Sequence, residues 1–167
     1  TYDNDLIIPQ RNWKQHVALA YGVTTIYDPA PLDQSSVPAD SDTILAVAEM
    51  QRAGLMIAPR IYSTGFFLHA QSPDPGAAII NSLDDAREHV RRLNALGAIS
   101  VKSYDQPRRE QRQQIIAAAR EYGMNVNLEG AIRYHYQMAG VVDGVTTVEH
   151  ALPVTKLYKD VMQLWSG

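Results

Sequence analysis

The chain has 167 residues, 46% of them hydrophobic and 20% charged, enough for one domain with a real core and ordinary values for a globular fold. Its formal net charge is −3 and its 15 Lys and Arg are dispersed, which excludes the basic stripe that a nucleic-acid partner requires. With no Cys there are no disulfides or thiolate metal sites, and no apolar run approaches the roughly 20 residues that span a bilayer.

The sequence opens Thr1-Tyr2-Asp3-Asn4 without Met, so the natural start is expected upstream. A helix is predicted from Asn12 to Ala20, stopped by Gly22, and then a strand over Val23–Asp28, ended by Pro29. Ser41 or Asp42 caps a second helix running to about Arg52, stopped by Gly54. The run Met56–Tyr62 reads as the next strand, although Pro59 offers no donor to a ladder. Ser82-Leu83-Asp84-Asp85 resembles a capping box and opens a helix ending before Gly97, with Ala86, Val90, Leu93 and Leu96 on one face. A strand over Ile99–Tyr104 follows, then a helix over Arg108–Tyr122 with a buried Ile115, Ile116, Ala119 stripe and Gly123 as its stop. Strands over Met124–Leu128 and Thr146–Ala151 and a helix over Thr155–Leu164 complete the series.

This alternation predicts a single α/β domain over residues 1–167, a parallel sheet joined by helical crossovers. The two long connections, Pro29–Asp40 and Thr64–Asn81, both follow strands and so fall at the C-terminal edge of the sheet, where active-site loops sit.

Three polar side chains fall at the same edge: Lys102, Glu129 and His150. A lysine in an apolar strand is costly to bury unless it is paired or modified. Lys102 therefore either pairs with a nearby carboxylate or takes up carbon dioxide as a neutral amine, giving a carbamate that ligates metal. His150 is either a hydrogen-bonded core histidine or a metal ligand. Placement on successive units of one sheet, with an acid between them, favours the ligand reading for both, since zinc accepts N and O donors of this kind.

The other candidates carry less. His16 and His89 lie within helices as solvated or partly buried spectators, and His69 lies in a long loop. Tyr134-His135-Tyr136 either supplies a group to the site or packs its mouth. Arg108 and Arg109 open a helix, whose N-terminus repels cations, so surface pairing is expected of them. Ser63-Thr64-Gly65 is too slight a turn for phosphate, and no Walker loop, dinucleotide fingerprint or nucleophile elbow is present.

Tyr21-Gly22-Val23-Thr24-Thr25-Ile26-Tyr27-Asp28 resembles the GVTT second-strand segment of the amidohydrolase superfamily, imidazolonepropionase-like branch. Val148-Glu149-His150-Ala151 resembles that branch's sixth-strand segment, whose histidine binds metal, and Val101-Lys102 falls on the fourth strand, where the branch carries its carbamylated lysine. Gln106-Pro107-Arg108-Arg109 and Leu164-Trp165-Ser166-Gly167 are similar to the amidohydrolase domain that follows a β-propeller in large bacterial secreted proteins. The resemblance implies a partial (β/α)8 TIM barrel, about strands two to six. It implies hydrolysis of an amide-type C–N bond by a metal-activated water in the parent protein, with zinc or another divalent metal, a small-molecule amide or peptide-like substrate, and a periplasmic or secreted location. Lys102 and His150 would be catalytic, and Lys102, Glu129 and His150 the metal ligands, Glu129 standing where the branch usually has histidine. The branch's His-X-His pair and eighth-strand Asp are expected before Thr1 and beyond Gly167, which would leave the isolated chain inactive. The alternative is a non-catalytic α/β fragment that forms homo-oligomers through open sheet edges.

Overall fold

The computed structural model describes residues 13–29, 40–69, 78–130 and 134–150. Five helices and five strands alternate: α1 Trp13–Ala20, β1 Thr25–Asp28, α2 Asp40–Arg52, β2 Arg60–Ser63, α3 Leu83–Ala95, β3 Ser100–Ser103, α4 Arg109–Glu121, β4 Asn125–Leu128, α5 Tyr134–Asp143 and β5 Thr147–Val148. The expected Thr155–Leu164 helix, Ala151 and residues 30–39 and 70–77 of the two long connections lie outside the described residues.

The element series follows the sequence pattern except for α5, which the pattern does not include, and the element ends need correction. The second strand is Arg60–Ser63 rather than Met56–Tyr62, so Pro59 stands just before the ladder, and Arg60 N opens the pairing by donating to Thr24 O at 2.9 Å. The first strand begins at Thr25, the third is Ser100–Ser103, the fourth begins at Asn125, and the last is only Thr147–Val148. Helix α3 is capped as its sequence implies: Ser82 Oγ accepts from Asp85 N at 3.1 Å, and Asp85 Oδ2 accepts from Asn81 N at 3.0 Å. Gly97 and Gly123 follow α3 and α4 at φ 90° and 65°, a left-handed turn that a Cβ would oppose.

All ladders are parallel and run in chain order, but they form two groups, β1-β2 and β3-β4-β5, rather than one unbroken five-stranded ladder. Beyond β2 the chain turns at Gly65, φ 62°, and returns to extended pairing only at Leu68. Leu68 N donates to Lys102 O at 2.8 Å and Tyr104 N donates to Leu68 O at 2.9 Å, so the segment after β2 lies along the end of β3. The turn at Gly65 coincides with the interruption of the ladder.

Strand alternation gives the sheet two unlike faces. Val101 and Val126 lie in one apolar cluster with Val90 and Leu93 of α3 and Ile115 and Ala119 of α4. Ile61 of β2 joins Ile44, Leu45 and Ala48 of α2 in a second. Burying a side chain of this size stabilises by about 1.5–3 kcal/mol, and these clusters fix the helices on one face. The alternate positions Ser100, Lys102 and Asn127 take the other face and are buried there as well.

Behind the sheet α4 and α5 are tied by a buried charge cluster. Asp143 accepts from Arg109 and Arg112, each at 2.6 Å, and from Gln113 at 3.0 Å. The side chains of Arg112 and Asp143 are each 2% exposed. Burial alone would raise the Asp143 pKa, but the two arginines and Gln113 more than offset it and hold the carboxyl down at about 2. The outer elements are barer: Trp13, Tyr21 and Tyr27 on the β1 side and Val142 on α5 are all exposed.

Candidate functional site

Each of the three sequence-predicted donors is delivered by a different strand. Lys102 is the third residue of β3, held in the β4 register opposite Asn127. Glu129 follows β4 by one residue, and its N–H donates to Ser103 O at 2.9 Å. His150 follows Glu149, whose N–H makes the last β5 bond, to Leu128 O at 2.9 Å. All three stand at the C-terminal edge, and Glu129 joins the other two: Oε2 lies 2.8 Å from Lys102 Nζ, and Oε1 lies 2.8 Å from His150 Nε2.

The environments are graded. The side chains of Lys102 and Glu129 are 2% and 10% exposed, whereas that of His150 is 60% exposed. The carboxylate is thus held between a buried amine and an imidazole open to solvent. Lys102 takes the paired arrangement, one of the two readings its sequence position leaves open.

His150, two residues beyond β5, also departs from the alternation that a continued strand would give. Successive side chains should point to opposite faces, yet Asn127 Nδ2 donates to Glu149 Oε1 at 2.9 Å while the next residue, His150, reaches Glu129. The break coincides with the backbone of His150, at φ 59°, the one non-glycine residue with positive φ among those described. Such a conformation costs roughly 1–2 kcal/mol and is met most often at functional positions.

Below the edge, Tyr27 of β1 reaches Ser100 of β3, with 2.8 Å between hydroxyls. Burial pushes the Tyr27 phenol up, and the Ser100 hydrogen bond opposes that shift. Above it, Tyr104 lies two residues beyond Lys102 and so on the same face. Its ring centroid stands 5.3 Å from Phe67 and 5.0 Å from His69. The sequence reading names Glu149 only as the neighbour of His150, leaves His69 as a loop residue that either lines a pocket or does nothing, and gives no site role to Asn127, Phe67 or Tyr104, although the two-residue spacing from Lys102 to Tyr104 and from Asn127 to Glu129 points to them.

The remaining candidates fall into place. Tyr136 packs the mouth: its hydroxyl donates to Tyr104 O at 2.6 Å and accepts from Gln106 N at 3.1 Å, under the Arg112 guanidinium 4.8 Å from its ring. Gln106 Nε2 in turn donates to Leu68 O at 2.6 Å. His16 and His135 are exposed, and His89 is half-buried, its pKa lowered mainly by that burial. Arg109 pairs with Asp143, as surface pairing requires, and Arg108 occupies the α4 N-cap, its N–H donating to Gln111 Oε1 at 3.1 Å.

Lys102, Glu129 and His150 present an amine, a carboxylate and an imidazole. The carboxylate oxygen and imidazole nitrogen are donors of the type zinc accepts, and the lysine joins them only if carbamylated. Among the described residues no group of three His, Cys, Asp or Glu side chains is placed to hold a metal ion. The carboxylate and imidazole are donors of a kind that a metal accepts, and in this structure both Glu129 oxygens are engaged by Lys102 and His150.

No protein-family model matches the sequence, and no curated protein matches it. Solved structures do share its fold. An amidohydrolase superposes with a TM-score of 0.63 at 19% identity, over 83% of this chain and 40% of its own. A Xaa-Pro dipeptidase with methionine in its active site gives 0.61 at 19%, over 89% and 43%. The ochratoxinase of A. niger gives 0.62 at 20%, over 88% and 40%. The chain has the α/β fold, with parallel strands and helical crossovers, that these hydrolases contain, and it spans about two-fifths of their length.

Proposed function

We propose that the chain is the central portion, about strands two to six, of a (β/α)8 barrel of the amidohydrolase superfamily, and that the complete enzyme hydrolyses an amide-type C–N bond. The observation that carries this reading is the convergence of Lys102, Glu129 and His150, with both contacts at 2.8 Å, on the C-terminal edge of a parallel sheet. Helices packed on one face, opposite a buried polar row, support a barrel over a sheet wound on both sides.

In this reading Glu129 and His150 hold a divalent metal such as zinc, with Lys102 joining them as its carbamate. The metal supplies an activated water and a polarised carbonyl. The aromatic group of Phe67, His69 and Tyr104 borders the mouth through which a small-molecule amide or peptide-like substrate enters. A periplasmic or secreted location belongs to the same reading.

Three donors fall short of the roughly four ligands of a zinc site. The isolated chain should therefore bind zinc weakly and turn over amides slowly or not at all, whereas a longer protein carrying the remaining units should do both. Calorimetric zinc titration of the two forms, with hydrolysis of N-acyl amino acid amides, tests the proposal. Lys102→Ala and His150→Ala should abolish the longer protein's activity, and retention of full activity by both would overturn the assignment.

A second reading is supported by the bare outer elements. Trp13 is 62% and Tyr21 86% exposed on the β1 side, with Val142 76% exposed on α5. Among the described residues β1 and β5 each pair on one side only, and such strands pair readily with further strands, so a non-catalytic module associating through its edges is the alternative.

A further inference from the structure

We propose that Gly130 is the positioning residue of the candidate site: its missing side chain allows the end of β5 to close on β4, which brings His150 onto Glu129. Gly130 follows Glu129, and its requirement for glycine is steric. A Cβ placed there would overlap the carbonyl oxygen of Glu149, with the carbonyl carbon and Gln137 Nε2 each at 2.7 Å. Real Cβ atoms do not approach backbone so closely, so any side chain must drive the two strands apart.

The location makes this separation specific. Glu149 N is bonded to Leu128 O, and Glu149 O then lies against Gly130. His150 follows Glu149 and Glu129 precedes Gly130, so the two ends of the His150–Glu129 contact flank this approach. Its imidazole is 60% exposed, and among the described residues its only ion-pair partner is Glu129. What brings it to Glu129 is its own left-handed backbone together with the close approach of Glu149 to Gly130. A shift of an ångström at Gly130 is transmitted directly to a contact that tolerates only a few tenths.

Lys102 is anchored independently. Its carbonyl accepts from Leu68 N and its strand is paired with β4 in register from Ser100 to Ser103. Disturbing Gly130 should therefore separate His150 from Glu129 while leaving Lys102 with Glu129. The geometric inference stands on these contacts, while its meaning for catalysis rests on the function proposed above.

The test is NMR of the full 167-residue chain, reading the nuclear Overhauser contact between the His150 ring protons and the Glu129 γ protons without added metal. In Gly130→Ala this contact should be lost while the amide resonances of α3 and α4 keep their positions. Gly140→Ala is the matched control. A Cβ there meets the side-chain end of Leu128 on the helix-covered face rather than backbone, a clash with the same strand that should lower stability and leave the His150 contact intact. Persistence of the contact in Gly130→Ala, or its equal loss in Gly140→Ala, overturns the proposal. Should Gly130→Ala not fold, Gln137→Ala decides: it removes the other neighbour of Gly130 without touching the backbone approach. It should preserve the contact, and loss would move the positioning role to Gln137. None of these readouts depends on metal binding, so a failure here is distinct from failure of the hydrolase reading.

Discussion

Replacing Lys102 by Met tests whether Glu129 is held in the interior by charge. At 2.8 Å and an effective dielectric constant of about 20, the attraction between the two groups is roughly 6 kcal/mol. Burying two ions costs several kcal/mol each, so the intact pair contributes little net stability. The half-pair is another matter. Methionine nearly matches the lysine stem, so packing changes little, but Glu129 is left with a side chain 10% exposed and, among the described residues, His150 as its one ion-pair partner. The expected loss is about 3–5 kcal/mol, a large share of the roughly 5–15 kcal/mol that holds a domain folded. The double substitution Lys102→Met with Glu129→Leu should recover most of it, because no unpaired charge then remains. Urea unfolding followed by far-ultraviolet circular dichroism measures both. A loss below about 1 kcal/mol in the single variant, or a double variant no more stable than the single, would refute the reasoning.

Three further outcomes are expected. The Asp143 carboxyl is held at about 2 against an ordinary 3.8, so its contribution to stability is complete above about pH 4 and is lost as the pH falls through 2; in Asp143→Asn that acid limb should be missing from the stability–pH profile. Ser82→Ala removes the acceptor for Asp85 N and should cost about 1 kcal/mol in urea unfolding, with Ser82→Asp retaining most of the cap. Light scattering should show the chain associating as concentration rises, and a monomer at all concentrations would count against open sheet edges.

Much of this architecture is legible in the sequence because local rules agree with the fold. Ser82 and Asp85 mark the start of α3, Gly97 and Gly123 mark helix ends, and the Ala86, Val90, Leu93 stripe is the face that α3 buries. The strand ends are less legible, since four-residue strands give a period of two little room to declare itself. Pro59 is the instructive case: its missing N–H argues against a central strand position, and the ladder does begin one residue later. Helix α5 gives little signal because it carries Gly140 and hides only Gln137 and Gly140. The interruption between β2 and β3 is not written in any local pattern; it falls at Gly65, where a side chain would meet Leu93 of a distant helix.

The site divides in the same way. That Lys102, Glu129 and His150 share one edge follows from their common position at strand ends, which a sequence displays. That His150 meets Glu129 does not follow, since alternation alone would send Glu149 and His150 to opposite faces. Two backbone features supply the missing step, and neither is a chemical group: a left-handed turn at His150 and the absence of a Cβ at Gly130. Both would be invisible to a search for donors, yet without them the imidazole would face away from the carboxylate. Where chemistry-bearing residues are placed by backbone exceptions, the glycine beside the acid is as informative as the acid itself.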